Sequence, residues 1–221
     1  MNFDLASIDW VKIWEATIET FYMTLISVAA TFILGILLGL LLYLTDKNGL
    51  WQNKIINFIT ATFVNVFRAI PFIILILLLF PFTDFIVGTI RGPKAALPAL
   101  IIGGAPFYAR LVEIALKEVD KGVVEAAQSM GASLQRIIFK VLLPESMPAL
   151  ISGITVTAIA LIGYTAMAGA IGAGGLGNYA YYAGFQRRAW DIVLVCTVII
   201  VFIVFIFQVI GDLTAKRIDK R

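Results

Sequence analysis

The chain has 221 residues, of which 61% are hydrophobic and 14% are charged. A soluble domain is about half apolar and about a quarter charged, so this composition points to lipid as the solvent and excludes an ordinary soluble enzyme. The formal net charge of only +3 argues against a nucleic-acid partner, and a lone Cys196 with no histidine leaves no basis for a disulfide, a metal site or an imidazole proton relay.

Long apolar stretches predict an all-α membrane protein with five transmembrane helices in a single domain, 1–221. The first, from Phe21 to Tyr43, is uninterrupted. At about 1.5 Å per residue it reaches about 35 Å, enough to cross a hydrocarbon core of about 30 Å. The second run is interrupted by Arg68 and Pro71, and the third is short. The predicted spans are about 21–43, 55–82, 95–112, 148–171 and 191–213.

The distribution of basic residues predicts the orientation. With the N-terminus outside, the inward segments contain eleven Lys or Arg side chains and the outward segments contain five. Because cytoplasmic loops carry the excess of positive charge, we expect the N-terminus outside and the C-terminus inside. The longest polar segment, about 113–147, then faces the cytoplasm.

The spans lack internal carboxylates. A proton- or sodium-coupled carrier commonly needs an acidic group near the midplane, or discontinuous helices in two related halves. Energy for transport is therefore expected from outside this chain. Arg68, three residues before Pro71, has two interpretations: a cation facing the translocation pathway, or a side chain that snorkels to the inner interface.

The fourth span is rich in small and hydroxyl residues, which predicts a place inside the bundle beside the pathway. Tyr164 and Met167 are three residues apart and should share a helix face, for core packing or substrate contact. In the first span, Gly35 and Gly39 form a GxxxG pair, which favours close helix packing within the chain or between two copies.

Three glycines, Gly172, Gly174 and Gly177, match the GxGxxG spacing. The dinucleotide-binding interpretation requires a preceding β-strand and a following helix in a βαβ unit. Here the glycines follow a membrane helix on its outer side, so we expect a tightly turned or mobile outer loop instead.

The cytoplasmic segment predicts two short helices. Gly122 could cap the first, with Glu125 in its first turn, where a carboxylate suits the positive helix end. Gly131 fits a helix stop in the left-handed conformation. Ser133 could cap a second helix, Leu134 to Leu143, which Pro144 would end, and Pro148 would open the fourth span.

The first short helix also carries small apolar residues that capping does not explain. An amphipathic helix laid into a partner's groove has this character, and Glu125 could offer its charge to a basic group there. We therefore predict a docking helix. Its expected contact residues are Val123, Val124, Ala126, Ala127 and Met130.

The string EAAQSMGASLQRIIFKVLLPESMP, from Glu125 to Pro148, resembles the EAA signature of membrane subunits of ATP-binding-cassette importers. Its pieces are Glu125-Ala126-Ala127, Gly131 and the Leu143-Pro144 pair. In that family the short helix sits in a cleft of a cytoplasmic ATPase and transmits nucleotide-driven motion. The resemblance thus implies an ATPase-coupling site at Glu125, Ala126, Ala127, Met130, Gly131 and Pro144.

Further stretches are similar to the methionine-importer permeases, a family of binding-protein-dependent inner-membrane components. They are 67–72, 104–107 and 163–177. This resemblance implies a homodimer in the bacterial cytoplasmic membrane, two copies of an ATPase that binds ATP and Mg, and an extracytoplasmic methionine-binding protein. It implies no catalytic site on this chain. Candidate pathway residues are Arg68, Pro71, Tyr164 and Met167. The alternatives are a permease for another amino acid or small peptide, and a stand-alone carrier or channel.

Overall fold

The chain folds as a bundle of helices, described by a computed structural model over residues 8–219. Within this range the structure contains ten α-helices and two π-helical turns, and no β-strand. The α-helices are α1 Trp10–Thr45, α2 Lys54–Ala69, α3 Phe72–Leu78, α4 Phe80–Val87, α5 Pro93–Lys117, α6 Lys121–Ser129, α7 Leu134–Ile137, α8 Leu143–Ala170, α9 Gly175–Tyr179 and α10 Trp190–Ile218; the π-helical turns are Ile138–Leu142 and Ala180–Phe185.

Helix α1 is longer than the membrane requires. It starts after Asp9, whose side chain accepts a hydrogen bond from the Lys12 backbone N–H (3.2 Å) and so satisfies one of the free donors of the first turn. Its 36 residues extend about 54 Å. The predicted span 21–43 therefore forms only part of this helix, which continues N-terminally from the span by about three turns.

Four helices are long and apolar enough to cross a membrane: α1, α5, the continuous helical stretch Leu134–Ala170, and α10. The second predicted span, 55–82, does not form one helix, because α2 and α3 meet at a bend of 108°. Proline lacks an N–H and disfavours helical geometry in the residue before it. Ile70, before Pro71, is accordingly extended. A count of five requires this bent pair to be one span, so it stays a prediction.

Helix α5 is the centre of the bundle. In its most apolar 18-residue window 61% of the residues are buried, against 11% in α10. The short third run of the sequence, with Pro98 and Pro106 inside the helix, is therefore the most enclosed of the predicted spans. Surrounding helices can supply the contacts that a proline-containing membrane helix needs.

The GxxxG pair of α1 packs on α5 within one chain. A Cβ atom on Gly35 would lie 2.5 Å from the ring of Tyr108. One on Gly39 would lie 2.5 Å from the Cβ of Val112 and 2.8 Å from the backbone oxygen of Ala109. Of the two interpretations of this pair, the structure supports packing within the chain.

Helix α8 lies inside the bundle, as its small and hydroxyl residues predict. It packs against α5 and α10, and also meets α1 and α9. Gly153 faces Tyr108 and Leu111 of α5, and Thr155 faces Gly211 of α10. The buried hydroxyls of Thr155 and Thr157 donate to backbone carbonyls one turn earlier in α8 (2.8 Å each), so no side-chain donor is left unpaired there.

Gly39→Ala should destabilise the bundle, because the new methyl group has no room against Val112 and the Ala109 carbonyl. Overpacking of this kind costs about 1–3 kcal/mol. We expect a lower Tm for the variant in a thermal unfolding assay of the detergent-solubilised protein. Gly163→Ala is the matched control, since nothing lies within 4 Å of a Cβ at that position. Equal Tm values for the two variants would contradict the α1–α5 packing described above.

Candidate functional site

Helix α6, the predicted docking helix, begins two residues earlier than the prediction. Asp120, not Gly122, is the N-cap, and its Oδ1 accepts a hydrogen bond from the Gly122 backbone N–H (2.6 Å). The helix then starts at Lys121, so Glu125 lies beyond the first turn and does not cap it. A carboxylate of a true N-cap residue satisfies the free amides better than a glycine, which offers no acceptor. The Glu125 carboxylate therefore takes no part in capping α6.

The end of α6 agrees with the prediction. Gly131 has φ +75°, in the left-handed region that favours glycine, and Met130 is the C-cap. The Ala132 N–H donates to the Ala127 carbonyl (3.0 Å), which closes the last turn. Gly131 therefore turns the chain sharply out of α6 towards α7.

The five apolar residues of α6 do not form one exposed face. Val124 and Ala127 are buried, with 7% and 6% of their surface exposed. Val123 (49%), Ala126 and Met130 (81%) are exposed and follow the i, i+3, i+7 spacing of a single strip. The expectation that all five form one exposed face is wrong for the buried pair, which packs the helix against its own chain.

The buried pair belongs to an apolar cluster that continues into the membrane bundle. The cluster connects α6 with α1, α5, α7 and α8. Its buried members are Leu44, Tyr108, Val112, Ala115, Leu116, Val119, Val124, Ala127, Ile137, Leu142 and Leu150. We call it the α5–α6 cluster. Because its buried side chains pack against one another, a displacement of α6 must also move the ends of these helices that contact it.

Beside α6 lies a groove of about 520 Å³ between the helix and the end of α1. Glu125, Gln128 and Lys121 line one wall, and Tyr43 and Asp46 line the other. Glu125 is exposed in this groove. Its carboxylate is thus available to a basic group that enters from outside the chain.

A chain of ion pairs that the sequence analysis did not identify lies beside this groove. Glu113, only 5% exposed, accepts hydrogen bonds from Arg110 and Lys117 (2.7 Å each). Lys117 also pairs with Asp46 at the end of α1 (2.9 Å). These charges connect α5 to α1 around a nearly buried carboxylate, which two cations neutralise. The i, i+3 and i, i+4 spacings from Arg110 to Lys117 are readable from sequence, whereas the partner Asp46 is not.

Pro144 does not end a helix, which corrects the prediction for the second short helix. The chain passes from α7 through the π-helical turn Ile138–Leu142 directly into α8. In this turn the Leu143 N–H donates to the Ile138 carbonyl, five residues back. The wider turn shifts the hydrogen-bond register just where the proline lacks an N–H, so the helix continues. Pro148 likewise lies inside α8 and does not open it.

A second candidate region is a cavity of about 210 Å³ at the bend between α2 and α3. Arg68, Phe72 and Tyr164 line it, and the Phe72 and Tyr164 rings are stacked with centroids 4.4 Å apart. Pro71 is the N-cap of α3 and shapes the bend instead of lining the cavity. The other lining residues are Phe67, Ile70, Leu75, Gly103 and Phe107.

The structure separates the candidate pathway residues Tyr164 and Met167. Tyr164 is half-buried against α3, whereas Met167 is 48% exposed and does not line the cavity. Met167 shares the open side of α8 with Val156, 52% exposed, and with Gly163. The two side chains share a face of α8 with an offset of about 60°, at about 100° per residue, but only Tyr164 lines the cavity.

The glycine-rich loop between α8 and α9 is tightly turned, as one of the two sequence interpretations expected. Gly174 and Gly175 have φ of +81° and +78°. The Gly175 N–H donates to Glu19 Oε2 (2.6 Å) and the Leu176 N–H donates to Thr20 Oγ1 (2.9 Å), so α1 holds the start of α9. Glu19 and Thr20 were missed by sequence reasoning, because 156 residues separate them from their partners.

The chain is an all-helical bundle with several helices able to span a membrane and an exposed amphipathic helix on one side. Comparison with known proteins assigns this architecture to the membrane components of transport systems. Residues 32–221 match the family model described as the inner membrane component of binding-protein-dependent transport systems. The chain belongs to this family.

Several characterised or solved relatives extend over nearly the whole chain. The methionine import system permease protein MetP of Bacillus subtilis is 66% identical over 215 residues, 97% of each chain. The probable D-methionine transport system permease protein MetI of Pasteurella multocida is 45% identical, covering 95% of this chain and 99% of the relative. A solved inward-facing structure of the MetNI methionine ABC transporter superposes with a TM-score of 0.93 at 40% identity, covering 96% and 98%.

The Asp46–Lys117 pair should make a small, pH-dependent contribution to stability. The hydrogen bond from Lys117 lowers the pKa of the Asp46 carboxyl below its ordinary value of 3.8. A lowered carboxyl pKa stabilises the fold above the unfolded value and loses this effect as the pH falls through the folded value. Both side chains are partly exposed (47% and 39%), so the pair contributes only about 0–1 kcal/mol.

Asp46→Asn should therefore lower Tm slightly and by the same amount from pH 8 to about pH 5, and the difference should shrink as the pH falls below 3.8 and through the lowered pKa of the folded Asp46 carboxyl. Thermal unfolding of wild type and variant across this pH range measures it. Asp84→Asn, in α4, is a control for the loss of one carboxylate. A Tm difference that grows as the pH falls would contradict the assignment.

Proposed function

We propose that this chain is the membrane permease of an ATP-driven methionine importer and acts as a homodimer in the bacterial cytoplasmic membrane. The relative at 66% identity is named a methionine import permease, and this identity over 97% of both chains carries the choice of substrate. The N-terminus lies outside and the C-terminus inside, in line with the basic residues of the inner segments. An extracytoplasmic methionine-binding protein delivers the substrate.

The proposed role of α6 is to couple this chain to a cytoplasmic ATPase. The strip of Val123, Ala126 and Met130 is an exposed apolar surface on one side of this short helix. The opposite side of the helix is fixed in the α5–α6 cluster. A helix with one face in its own core and one free apolar face suits insertion into a partner's groove, with Glu125 offering its charge at the rim.

The energy of transport then comes from the partner. Two ATPase copies bind ATP and Mg, and their closure moves the two α6 helices of the homodimer. Because ATP must bind one conformation better than the other, its binding shifts the population towards the outward-open state, and hydrolysis restores the inward-facing one. In this proposal the chain supplies the translocation pathway and the coupling helix α6, and it supplies no catalytic group.

The cavity at the α2–α3 bend is the proposed substrate-contacting part of the pathway. The Arg68 guanidinium suits the carboxylate of an amino acid. The stacked rings of Phe72 and Tyr164 offer an aromatic surface, on which a thioether packs favourably. Met167 lies on the open side of α8, where a second copy of the chain would face it across the pathway.

Disturbing the exposed strip of α6 should uncouple the complex. Ala126→Arg places a charge on the strip, Glu125→Ala removes the rim carboxylate, and Gly131→Leu forces a side chain into the left-handed region at a cost of about 1–2 kcal/mol. We expect less ATPase in pull-downs, or ATP hydrolysis without methionine uptake. Gln52→Arg adds the same charge in the α1–α2 loop and should behave as wild type. Normal pull-down and uptake in all three α6 variants would refute docking through α6.

Reconstitution with the co-purifying ATPase tests the function itself. The wild-type complex in liposomes should take up labelled methionine only with ATP, and unlabelled methionine should compete better than other amino acids. Arg68→Leu should lower uptake at least about tenfold, while Arg68→Lys retains part of it, because only the latter keeps a cation for the carboxylate. If another amino acid competes better than methionine, that amino acid is the substrate. Uptake without the ATPase would indicate a stand-alone carrier. Full uptake by Arg68→Leu would remove Arg68 from the pathway.

A further inference from the structure

Helix α2 has a polar stripe that its packing does not explain. Lys54, Asn57, Asn65 and Arg68 occur at spacings of three, eight and three residues. At about 100° per residue, they fall within an arc of about 80° around the helix. Asn57 is accounted for, because its amide donates to the Leu42 carbonyl (3.0 Å) and to Thr45 Oγ1 (3.1 Å) of α1.

The opposite side of α2 is apolar and exposed. It consists of large hydrophobic residues, which suit contact with lipid. They are Ile55, Ile59, Phe63 and Val66, between 41% and 73% exposed. Because lipid cannot satisfy an amide or a cation, the side with Asn65 and Arg68 must face water or polar groups instead.

Two cavities open along this stripe. The cavity of about 210 Å³ at the α2–α3 bend includes Arg68. A second cavity of about 450 Å³ includes Lys54, Asn57 and Asn65. Asn65 of the larger cavity and Arg68 of the smaller one are three residues apart, which is a rise of only about 4.5 Å along the helix. The stripe is therefore a row of hydrogen-bonding groups beside two neighbouring cavities.

The end of α2 that begins at Lys54 lies on the same side of the bundle as α6. The connection between α1 and α2 includes Asp46, which pairs with Lys117 and shares the groove with Glu125. If α6 meets a cytoplasmic ATPase, the larger cavity opens to the cytoplasm. These contacts within the chain place the larger cavity on the same side as α6, whatever the number of spans.

We infer that the polar stripe of α2 lines the inner half of the translocation pathway, and that Asn65 is the first polar contact for a zwitterionic amino acid after it leaves the Arg68 cavity. The amide of Asn65 can donate to the carboxylate and accept from the ammonium group. Lys54 offers a second cation at the cytoplasmic end. This inference rests on the proposed function, since a pathway is meaningful only in a transporter.

Cysteine accessibility tests the stripe in the reconstituted complex with its ATPase. Asn65→Cys should react with a charged, membrane-impermeant methanethiosulfonate reagent applied from the cytoplasmic side, because the reacting thiolate forms only in water. Val66→Cys, the next residue on the apolar side, is the matched control and should react at least about tenfold more slowly. Wild type gives the background, since Cys196 is fully buried. Trapping the complex with ATP and vanadate should slow the reaction of Asn65→Cys.

Similar rates for Asn65→Cys and Val66→Cys, or no reaction of Asn65→Cys, would overturn the inference. Uptake separates this failure from that of the proposed function: if the wild-type complex still imports methionine with ATP, only the stripe is wrong. Asn65→Leu and Asn65→Ser provide a second measurement that needs no thiol. We expect lower uptake for the leucine variant and retained uptake for serine, and equal uptake for the two would also overturn the inference.

Discussion

The structure depends most on one packed contact, the continuation of the membrane core into α6 through the α5–α6 cluster. Tyr108, fully buried, anchors the cluster inside the bundle, where its hydroxyl donates to the Leu150 carbonyl of α8 (3.0 Å). Val124 and Ala127 end it at the surface. Burial of apolar side chains at native packing density resists independent motion of the elements that share it. Helix α6 is consequently part of the bundle and not a loop that happens to be helical.

Because α6 is packed into the bundle, a displacement of α6 would also displace the helices in contact with it. Helix α5 is packed against α1 through Gly35 and Gly39, so displacement of its inner end must carry α1 or break close contacts. The ion pairs from Arg110 to Asp46 join the same two helices at the same end. Near the other end of α1, Glu19 and Thr20 hold the start of α9. Helix α1 thus connects the proposed coupling surface with the glycine-rich loop before α9.

The sequence predicted well where one local rule decided the outcome. Apolar length identified α1 and α10, the left-handed requirement identified Gly131, and small residues identified the close contacts of α1 and α8. Errors occurred where two local rules competed. Asp120 and Gly122 could each begin α6, and the side-chain acceptor prevailed. Pro144 carries a strong stop signal, which the π-helical turn before it overrides.

Other features had no local signal at all. The pairing of Lys117 with Asp46 and of Glu19 with Gly175 joins residues that are far apart in sequence. Val124 and Ala127 are buried because of where α5 ends. The helical period of α6 alone does not tell which of its apolar residues face the bundle. The separation of Tyr164 from Met167 likewise depends on the position of α3, which the bend at Pro71 sets.

The bend at Pro71 also reconciles a membrane span poor in charge with a polar pathway. If the second predicted span were one straight helix, Arg68 would lie in lipid, where a charged side chain is energetically costly. Breaking the helix places Arg68 at the wall of a cavity and turns the polar side of α2 towards the open space below it. The irregular backbone at Ile70 is tolerable for the same reason, since non-helical segments at membrane depth occur where they border protein or water-filled space. A single proline therefore both interrupts the apolar run and shapes the cavity that Arg68 lines.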